Sequence, residues 1–114
     1  MPALLPSYAA LLASILLGVG GQILLKTGAE RSADTIGQFL DAFTITGLAA
    51  YALAAVFYIF AIKKIPVTLA FPTVSLSYIA VAIVAHYLWG EPLGLPQFIG
   101  IALIAAGIFF LHRV

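Results

Sequence analysis

The sequence has 114 residues, of which 64% are hydrophobic and 8% are charged, and its mean hydropathy is +1.19. These few polar residues cannot cover the core of a soluble domain. The composition therefore excludes a soluble protein and indicates an integral membrane protein. The net charge of +1 leaves too few basic residues for a nucleic-acid partner. Cysteine is absent, which excludes disulfides and thiol chemistry.

No pattern of enzymatic chemistry occurs in the sequence. His86 and His112 lie far apart, so no metal site is expected. No segment resembles a nucleophile elbow, a phosphate-binding loop or a pair of catalytic carboxylates. The sequence therefore predicts a protein that is not an enzyme and needs no cofactor.

Four hydrophobic runs predict four transmembrane helices, because about 20 apolar residues are needed to cross the hydrocarbon core of a bilayer. The first run is expected to remain a helix rather than a cleaved signal peptide, because Lys26 follows it instead of preceding it. The third run stops at Gly90-Glu91-Pro92, which is typical of a helix end. The predicted fold is one all-α integral membrane domain with helices over about residues 3–26, 43–62, 67–89 and 95–112.

The connection between the first two spans predicts a short helix in the membrane interface. Asp34 is a candidate N-cap, and Ile36, Phe39, Leu40 and Phe43 then recur at helical spacing. A short amphipathic helix of this kind lies in the plane of the interface. The alternative is a loop that carries a few hydrophobic residues by chance.

The distribution of basic residues bears on orientation. Four spans place both termini on one side of the membrane, together with Lys63, Lys64 and Arg113, whereas Lys26 and Arg31 lie on the other side. An excess of one positive charge favours cytoplasmic termini but does not fix the orientation. So small a bias would also permit insertion in both directions, and hence an antiparallel dimer.

Polar side chains inside the spans are candidate binding residues, because each is costly in lipid. Gly18, Gln22 and Lys26 are four residues apart, so they share one face of the first helix. Gln22 either binds a ligand or bonds a neighbouring helix, and Lys26 either binds a ligand or extends to the interface. Tyr51 and Tyr58 share a face of the second helix and either line a cavity or pack.

The third helix is the most polar of the four. Ser75, Tyr78 and His86 lie on or beside one stripe that also contains Pro72. A proline frees a carbonyl, which is tolerated where a helix lines a cavity. The alternatives are hydroxyl groups that bond their own helix and a histidine that only packs.

Helix topology brings charged residues together at one end. The first and third helices end on the same side, so Lys26, Arg31 and Glu91 are expected to cluster there. A cation and a carboxylate at the mouth of a cavity suit a zwitterionic or phosphate-bearing head group. A solvated turn carboxylate is the alternative for Glu91.

The fourth helix predicts a contact between protomers. Its small residues, Gly100 and Gly107, are seven apart with Leu103 and Ile104 between them, and no charge interrupts the span. Four helices of this length cannot enclose a cavity for a head group and also pack against one another. A dimer is therefore expected, and an inverted copy would give alternating access by symmetry.

Several motifs resemble the drug/metabolite transporter superfamily, in its four-helix, small-multidrug-resistance-like branch. They are the Lys26 that closes the first helix, Ile65-Pro66-Val67, Trp89-Gly90-Glu91-Pro92 and Gly100-x-x-Leu103-Ile104-x-x-Gly107. Proton-coupled members carry a glutamate inside the first helix, where this chain has Gly18. Without a carboxylate in the spans, cation/proton exchange is not expected.

A closer resemblance is to the small subunits that flip undecaprenyl-phosphate-linked aminoarabinose across the bacterial inner membrane. It rests on Gly20-Gly21-Gln22-x-x-x-Lys26, Phe71-Pro72-x-x-Ser75-Leu76-Ser77 and Leu88-Trp89-x-Glu91-Pro92. The resemblance implies a multi-pass inner-membrane flippase of lipopolysaccharide modification, with an anionic polyprenyl-phosphate sugar as substrate. Lys26 would bind the phosphate and Glu91 an amine on the sugar. The partner would be a second copy or a similar small subunit, among membrane lipids.

Two other functions stay open at this point. One is export of small organic cations such as drugs or polyamines. The other is a non-transporting subunit or chaperone of a lipid-modifying enzyme, for which the face of the fourth helix and the interfacial helix would suffice.

Overall fold

The computed structural model describes residues 2–32 and 34–113, and this part of the chain is helical without strands. The all-α fold predicted from the sequence is confirmed. After a short 3-10 turn, Pro2–Leu4, the helices are α1 (Leu5–Arg31), α2 (Thr35–Leu40), α3 (Ala42–Ile62), α4 (Val67–Val74), α5 (Leu76–Trp89) and α6 (Leu95–Leu111).

Three segments are long and apolar enough to cross a membrane: α1, α3, and α4 with α5, which together cover Val67–Trp89. Only 17% of the most apolar window of each is buried inside the protein. Most of their apolar surface therefore faces outward, as lipid requires. The fourth apolar helix, α6, is shorter, with 17 residues.

The tightest packing joins α1 to α3 through small residues. Ser14 Oγ donates to the carbonyl oxygen of Ala54 over 2.9 Å, and a Cβ added to Gly21 would lie 3.1 Å from the carbonyl oxygen of Gly47. Seven residues make about two helical turns, so positions seven apart form a straight stripe. We call this stripe the small-residue seam; its members, all buried, are Ser7, Ser14, Gly21 and Gly28 of α1 and Gly47, Ala54 and Ala61 of α3.

The backbones of α1 and α3 approach each other most closely near the end of α1. A Cβ on Gly28 would lie 2.6 Å from the backbone nitrogen of Thr44, so only glycine fits there. The buried hydroxyl of Thr44 has no hydrogen-bond partner among the described residues. Near the other end of the seam, Leu11 and Ile15 pack with Ile65 and Ala70, which ties α1 to the start of α4.

The third predicted span is interrupted at one residue, Ser75, which separates α4 from α5 while its own backbone stays in the α region. Pro72, three residues earlier and inside α4, lacks the N–H group that would bond the carbonyl one turn before it. The N–H of Ser75 donates to Pro72 O over 2.9 Å, and Ser77 Oγ donates to Val74 O over 2.7 Å. Ser75 Oγ also donates to Pro72 O, so the polar groups of the break are satisfied within it.

The short helix predicted between the first two spans is present as α2, but Asp34 does not form the predicted cap. Asp34 occupies the N-cap position without a capping hydrogen bond from its side chain. The helix ends at Leu40, and Phe43 belongs to α3 because Asp41 begins that helix by accepting from the Phe43 N–H over 2.9 Å. Ile36 and Phe39 are exposed, and the location of α2 in the interface stays a prediction.

The last helix, α6, packs loosely against α4 and α5. None of its residues is buried in this single chain. Leu103 is 68% exposed, and a Cβ on Gly100 or Gly107 would meet nothing within 4 Å. The predicted dimer face is therefore uncovered in the protomer, and the dimer itself stays a prediction.

Candidate functional site

The main cavity is a groove of about 610 Å³ along α1. Ser14, Gly18 and Gln22 form its base, α3 forms one wall, and α4 with α5 forms the other. In the described part of the chain α1 packs against both walls, and α3 contacts α4 but not α5. The groove is therefore open between α3 and α5.

Most of the groove surface is apolar, with polar groups at a few positions. Apolar side chains such as Ile15, Phe71 and Val81 supply the larger area. The polar residues that line the groove are Ser14, Gln22, Tyr51, Tyr58, Ser77, Tyr78 and Glu91. An apolar wall with a few polar contacts is the usual composition of a ligand-binding groove.

Glu91, which lines the groove, belongs to a group of three charged side chains that we call the Lys26 cluster. Lys26 Nζ lies 3.4 Å from a carboxylate oxygen of Glu91 and 3.8 Å from one of Glu30, and 5.9 Å from the Trp89 ring centroid. One ammonium and two carboxylates give the cluster a net charge of −1 when all are ionised. The Lys26 side chain is 40% exposed, so the cluster remains accessible.

Glu91 reaches Lys26 because α5 ends at Trp89, two residues before it. Gly90 has φ +66°, a left-handed conformation that favours glycine. The N–H of Gly90 donates to His86 O over 3.0 Å, which closes the helix end. The predicted helix stop is confirmed, and it directs Glu91 back toward α1.

Arg31 does not join the Lys26 cluster, contrary to the sequence-based expectation. Its Nε donates to a carboxylate oxygen of Asp41 over 3.1 Å, and its guanidinium lies 4.9 Å from the ring centroid of Phe43. The pKa of Asp41 is lowered because the Phe43 N–H donates to its carboxylate, with a smaller contribution from Arg31. Arg31 therefore links α1 to the start of α3.

Gln22 is held by Tyr51 across the groove. The Tyr51 hydroxyl donates to Gln22 Oε1, and no bond from the Gln22 amide NH2 group is found within the described residues. An amide whose oxygen is already bonded presents donors to a ligand. Gln22 is thus prepared to bind acceptor atoms such as phosphate or sugar oxygens.

Four of the predicted binding residues line the groove: Gln22, Tyr58, Tyr78 and Glu91. Lys26 adjoins them through its ion pair with Glu91. Their role in binding stays a prediction.

Ser75 and His86 do not line the groove. Ser75 bonds its own helix, as described above. His86 Nδ1 lies 2.8 Å from Glu91 O, and its ring meets Tyr87 edge-on at 5.3 Å. The alternatives, a serine hydroxyl that bonds its own helix and a histidine that packs, therefore fit the geometry better.

Two polar groove residues, Ser14 and Ser77, were not among the candidates from the sequence. Tyr51, which was expected with Tyr58 either to line a cavity or to pack, lines the groove. Ser14 belongs to the seven-residue repeat of the small-residue seam, which marks the side of α1 that contacts α3. Ser77 gave no separate signal, because its direction depends on the helix break.

Within residues 2–32 and 34–113, no group of three or more His, Asp or Glu side chains is arranged to hold a metal ion. The groups that line the groove are those named above.

Similar proteins include membrane flippase subunits. A probable 4-amino-4-deoxy-L-arabinose-phosphoundecaprenol flippase subunit ArnE from Enterobacter sp. is 30% identical over 105 residues, which is 92% of this chain and 95% of the relative. Another, from Salmonella paratyphi B, is 34% identical over 98 residues, 84% of this chain and 87% of the relative. The uncharacterized protein y4nH from Sinorhizobium fredii is 36% identical over 97 residues, with coverage of 82% and 83%.

No solved structure matches the chain. Residues 2–113 match the EamA-like transporter family, which covers nearly the whole sequence. Together with the long apolar helices, this match shows that the chain belongs to the EamA-like transporter family.

Proposed function

We propose that this protein flips an anionic lipid, a polyprenyl phosphate that carries an aminoarabinose-like sugar, across the bacterial inner membrane. Family membership and the apolar helices make the chain a multi-pass membrane transporter. The substrate class is supported by the flippase-subunit relatives and by a groove that is open between α3 and α5. The polar head group would pass along the groove while the polyprenyl chain stays in the bilayer.

The observation that carries the proposal is the ion pair between Lys26 and the groove residue Glu91. A simple anion that bound Lys26 would leave two carboxylates, Glu91 and Glu30, without their ion-pair partner. These side chains are 40–52% exposed, so water compensates part of the lost attraction and the pair can open for a ligand. A head group with both phosphate and amine replaces the pair, because phosphate binds Lys26 while the amine binds Glu91.

The next contacts along the path are neutral donors. Gln22 is one helical turn from Lys26, and its free amide NH2 group can donate to phosphate or sugar oxygens. Tyr58 and Tyr78 add hydroxyl groups on the two walls. Neutral donors of this kind hold a head group without the strong attraction that would trap it inside the membrane.

A dimer completes the proposal. The relatives are described as subunits, and the open groove and the uncovered face of α6 leave room for a second chain. That chain is either another copy or a similar small subunit, packed on the face that contains Gly100, Leu103, Ile104 and Gly107. An inverted arrangement of the two would present the groove alternately to each side.

The test follows the head group in proteoliposomes that contain the assembled protein and a polyprenyl-phosphate aminosugar. Lys26→Met should slow translocation about 10-fold or more, because a hydrogen bond to a charged group contributes roughly 1.5–3 kcal/mol. Lys26→Arg should retain most activity, and Arg113→Met, which removes a cation at the far end, should behave as wild type.

Two outcomes contradict the proposal. Equal rates for wild type and Lys26→Met would remove the assignment of Lys26. An assembled wild-type protein that moves no head group would remove the function and favour a non-transporting subunit.

Export of small organic cations is a second candidate, favoured by the net charge of −1 in the Lys26 cluster and by the tyrosines of the groove. Cations bind over aromatic faces and beside carboxylates. Calorimetric titration of a cationic drug in two buffers of different ionisation enthalpy would measure binding and any linked proton release. Tight binding with proton release would favour export over flipping.

A further inference from the structure

A second, smaller cavity lies away from the main groove, between the start of α1 and the end of α3. Its volume is about 330 Å³. The walls are mainly apolar and include Pro6, Phe57 and Phe60, and the rim carries the side chains of Lys63 and Lys64. None of these residues lines the main groove.

The cavity lies at a membrane boundary. The last residue of α3 is Ile62, and the two lysines follow it directly, so they mark the level at which the apolar span gives way to head groups. Phe60, one turn earlier, is 64% exposed, which places an aromatic ring toward the lipid just inside that boundary. The cavity thus changes from apolar to cationic in the direction in which a phospholipid changes from acyl chain to phosphate.

The two lysines also differ from the basic residues of the other end. Lys26 and Arg31 are each paired with carboxylates. Lys63 and Lys64 are exposed and form no ion pair within residues 2–32 and 34–113. Two adjacent ammonium groups above an apolar wall are complementary to an anion attached to a hydrocarbon chain.

We propose that this cavity binds one anionic phospholipid, with its phosphate on Lys63 and Lys64 and part of an acyl chain along Phe57 and Phe60. A soluble anion would leave the apolar walls unused, and a neutral lipid would leave the lysines unpaired. The site is separate from the flippase substrate path, because its residues are not shared with the main groove.

The experiment is native mass spectrometry of the purified protein with increasing amounts of phosphatidylglycerol or phosphatidylcholine. Phosphatidylglycerol should bind more tightly, and the double variant Lys63→Gln/Lys64→Gln should weaken it ~30-fold, ~5-fold for each lysine, since a basic residue near an anionic surface contributes about 1 kcal/mol. Phe60→Ala should weaken binding of both lipids, because it removes apolar wall. Inorganic phosphate alone should not compete.

Arg113→Gln is the matched control, because Arg113 is a cation expected on the same side of the membrane as the lysines and outside the cavity. It should change phosphatidylglycerol binding less than 2-fold. An equal loss for Arg113→Gln and for the double variant would show unspecific surface attraction and overturn the proposal. Loss of the bound lipid in Lys26→Met but not in the double variant would assign it to the main groove, and equal binding of both lipids would also contradict the site.

Discussion

The same sequence pattern occurs in the packed pair of helices α1 and α3 and in the helix α6, but it is covered by a neighbour only in the pair. Both have small residues seven apart. In the pair they are covered: a Cβ on Gly47 would lie 3.0 Å from the backbone of Gly21 and of Leu25. On α6, a Cβ on Gly100 or Gly107 would meet nothing within 4 Å.

The difference shows that a stripe of small residues predicts close helix contact without identifying the partner. Small residues let two backbones approach, and close packing is the main attraction between helices in lipid. For α1 the partner is the next membrane-crossing helix of the same chain. For α6 no helix of the described chain covers the stripe, which is why we expect another chain to do so.

The largest effect is expected from a larger side chain in the small-residue seam. Gly47→Val should lower the free energy of unfolding by up to about 3 kcal/mol, because its methyl groups would overlap the α1 backbone. Gly107→Val should change it by less than about 0.5 kcal/mol, since the space around it is open. Reversible denaturation in mixed detergent measures both, and equal losses would contradict the distinction between the two stripes.

A bulky residue on α6 should act on assembly instead of on the protomer. The double variant Gly100→Phe/Gly107→Phe should raise the dissociation constant of the dimer ~10-fold, which corresponds to about 1.4 kcal/mol. Mass measurement in mild detergent gives the dimer fraction, and helical content by circular dichroism checks the fold. A wild-type protein with one chain per particle would remove the dimer altogether.

A single hydrogen bond across the seam should contribute less. Ser14→Ala removes the buried bond to Ala54 O and should cost about 1 kcal/mol of unfolding free energy. Thr46→Ala is the control: Thr46 is exposed and bonds only its own helix, at Ala42 O. If both variants lose the same amount, the bond between the helices contributes nothing of its own.

The smallest effect is expected where the end of α1 meets the start of α3, at the ion pair between Arg31 and Asp41. The pKa of Asp41 is lowered from 3.8 chiefly by the Phe43 N–H; burial opposes this, and the hydrogen bond and charge of Arg31 each lower the pKa by less. A carboxyl group whose pKa is lower in the folded state than in the unfolded state stabilises the fold. This stabilisation is complete above the unfolded-state pKa and is lost as the pH falls through the folded-state pKa.

Asp41→Asn should therefore be slightly less stable than wild type at neutral pH. The difference in stability between the variant and the wild type should disappear as the pH falls below 3.8. Thermal unfolding at several pH values measures it, with Asp34→Asn as the control, because the Asp34 side chain makes no capping bond. A difference that is constant with pH would mean that charge is not the cause.

The sequence by itself determined the membrane class, the approximate helix ends and the meeting of Lys26 with Glu91. These follow from properties of one segment at a time: apolar length, the glycine stop at Gly90, and the rule that the first and third spans end on one side. The position of a residue along the membrane is fixed by counting along the chain.

Only the tertiary structure decided which way each side chain faces. It paired Arg31 with Asp41, joined Tyr51 to Gln22, and turned Ser77 instead of Ser75 into the groove after the break near Pro72. Rotation about a helix axis depends on the neighbour that packs against it and on local changes in hydrogen bonding, and apolar helices in lipid carry little hydrophobic periodicity to reveal that neighbour.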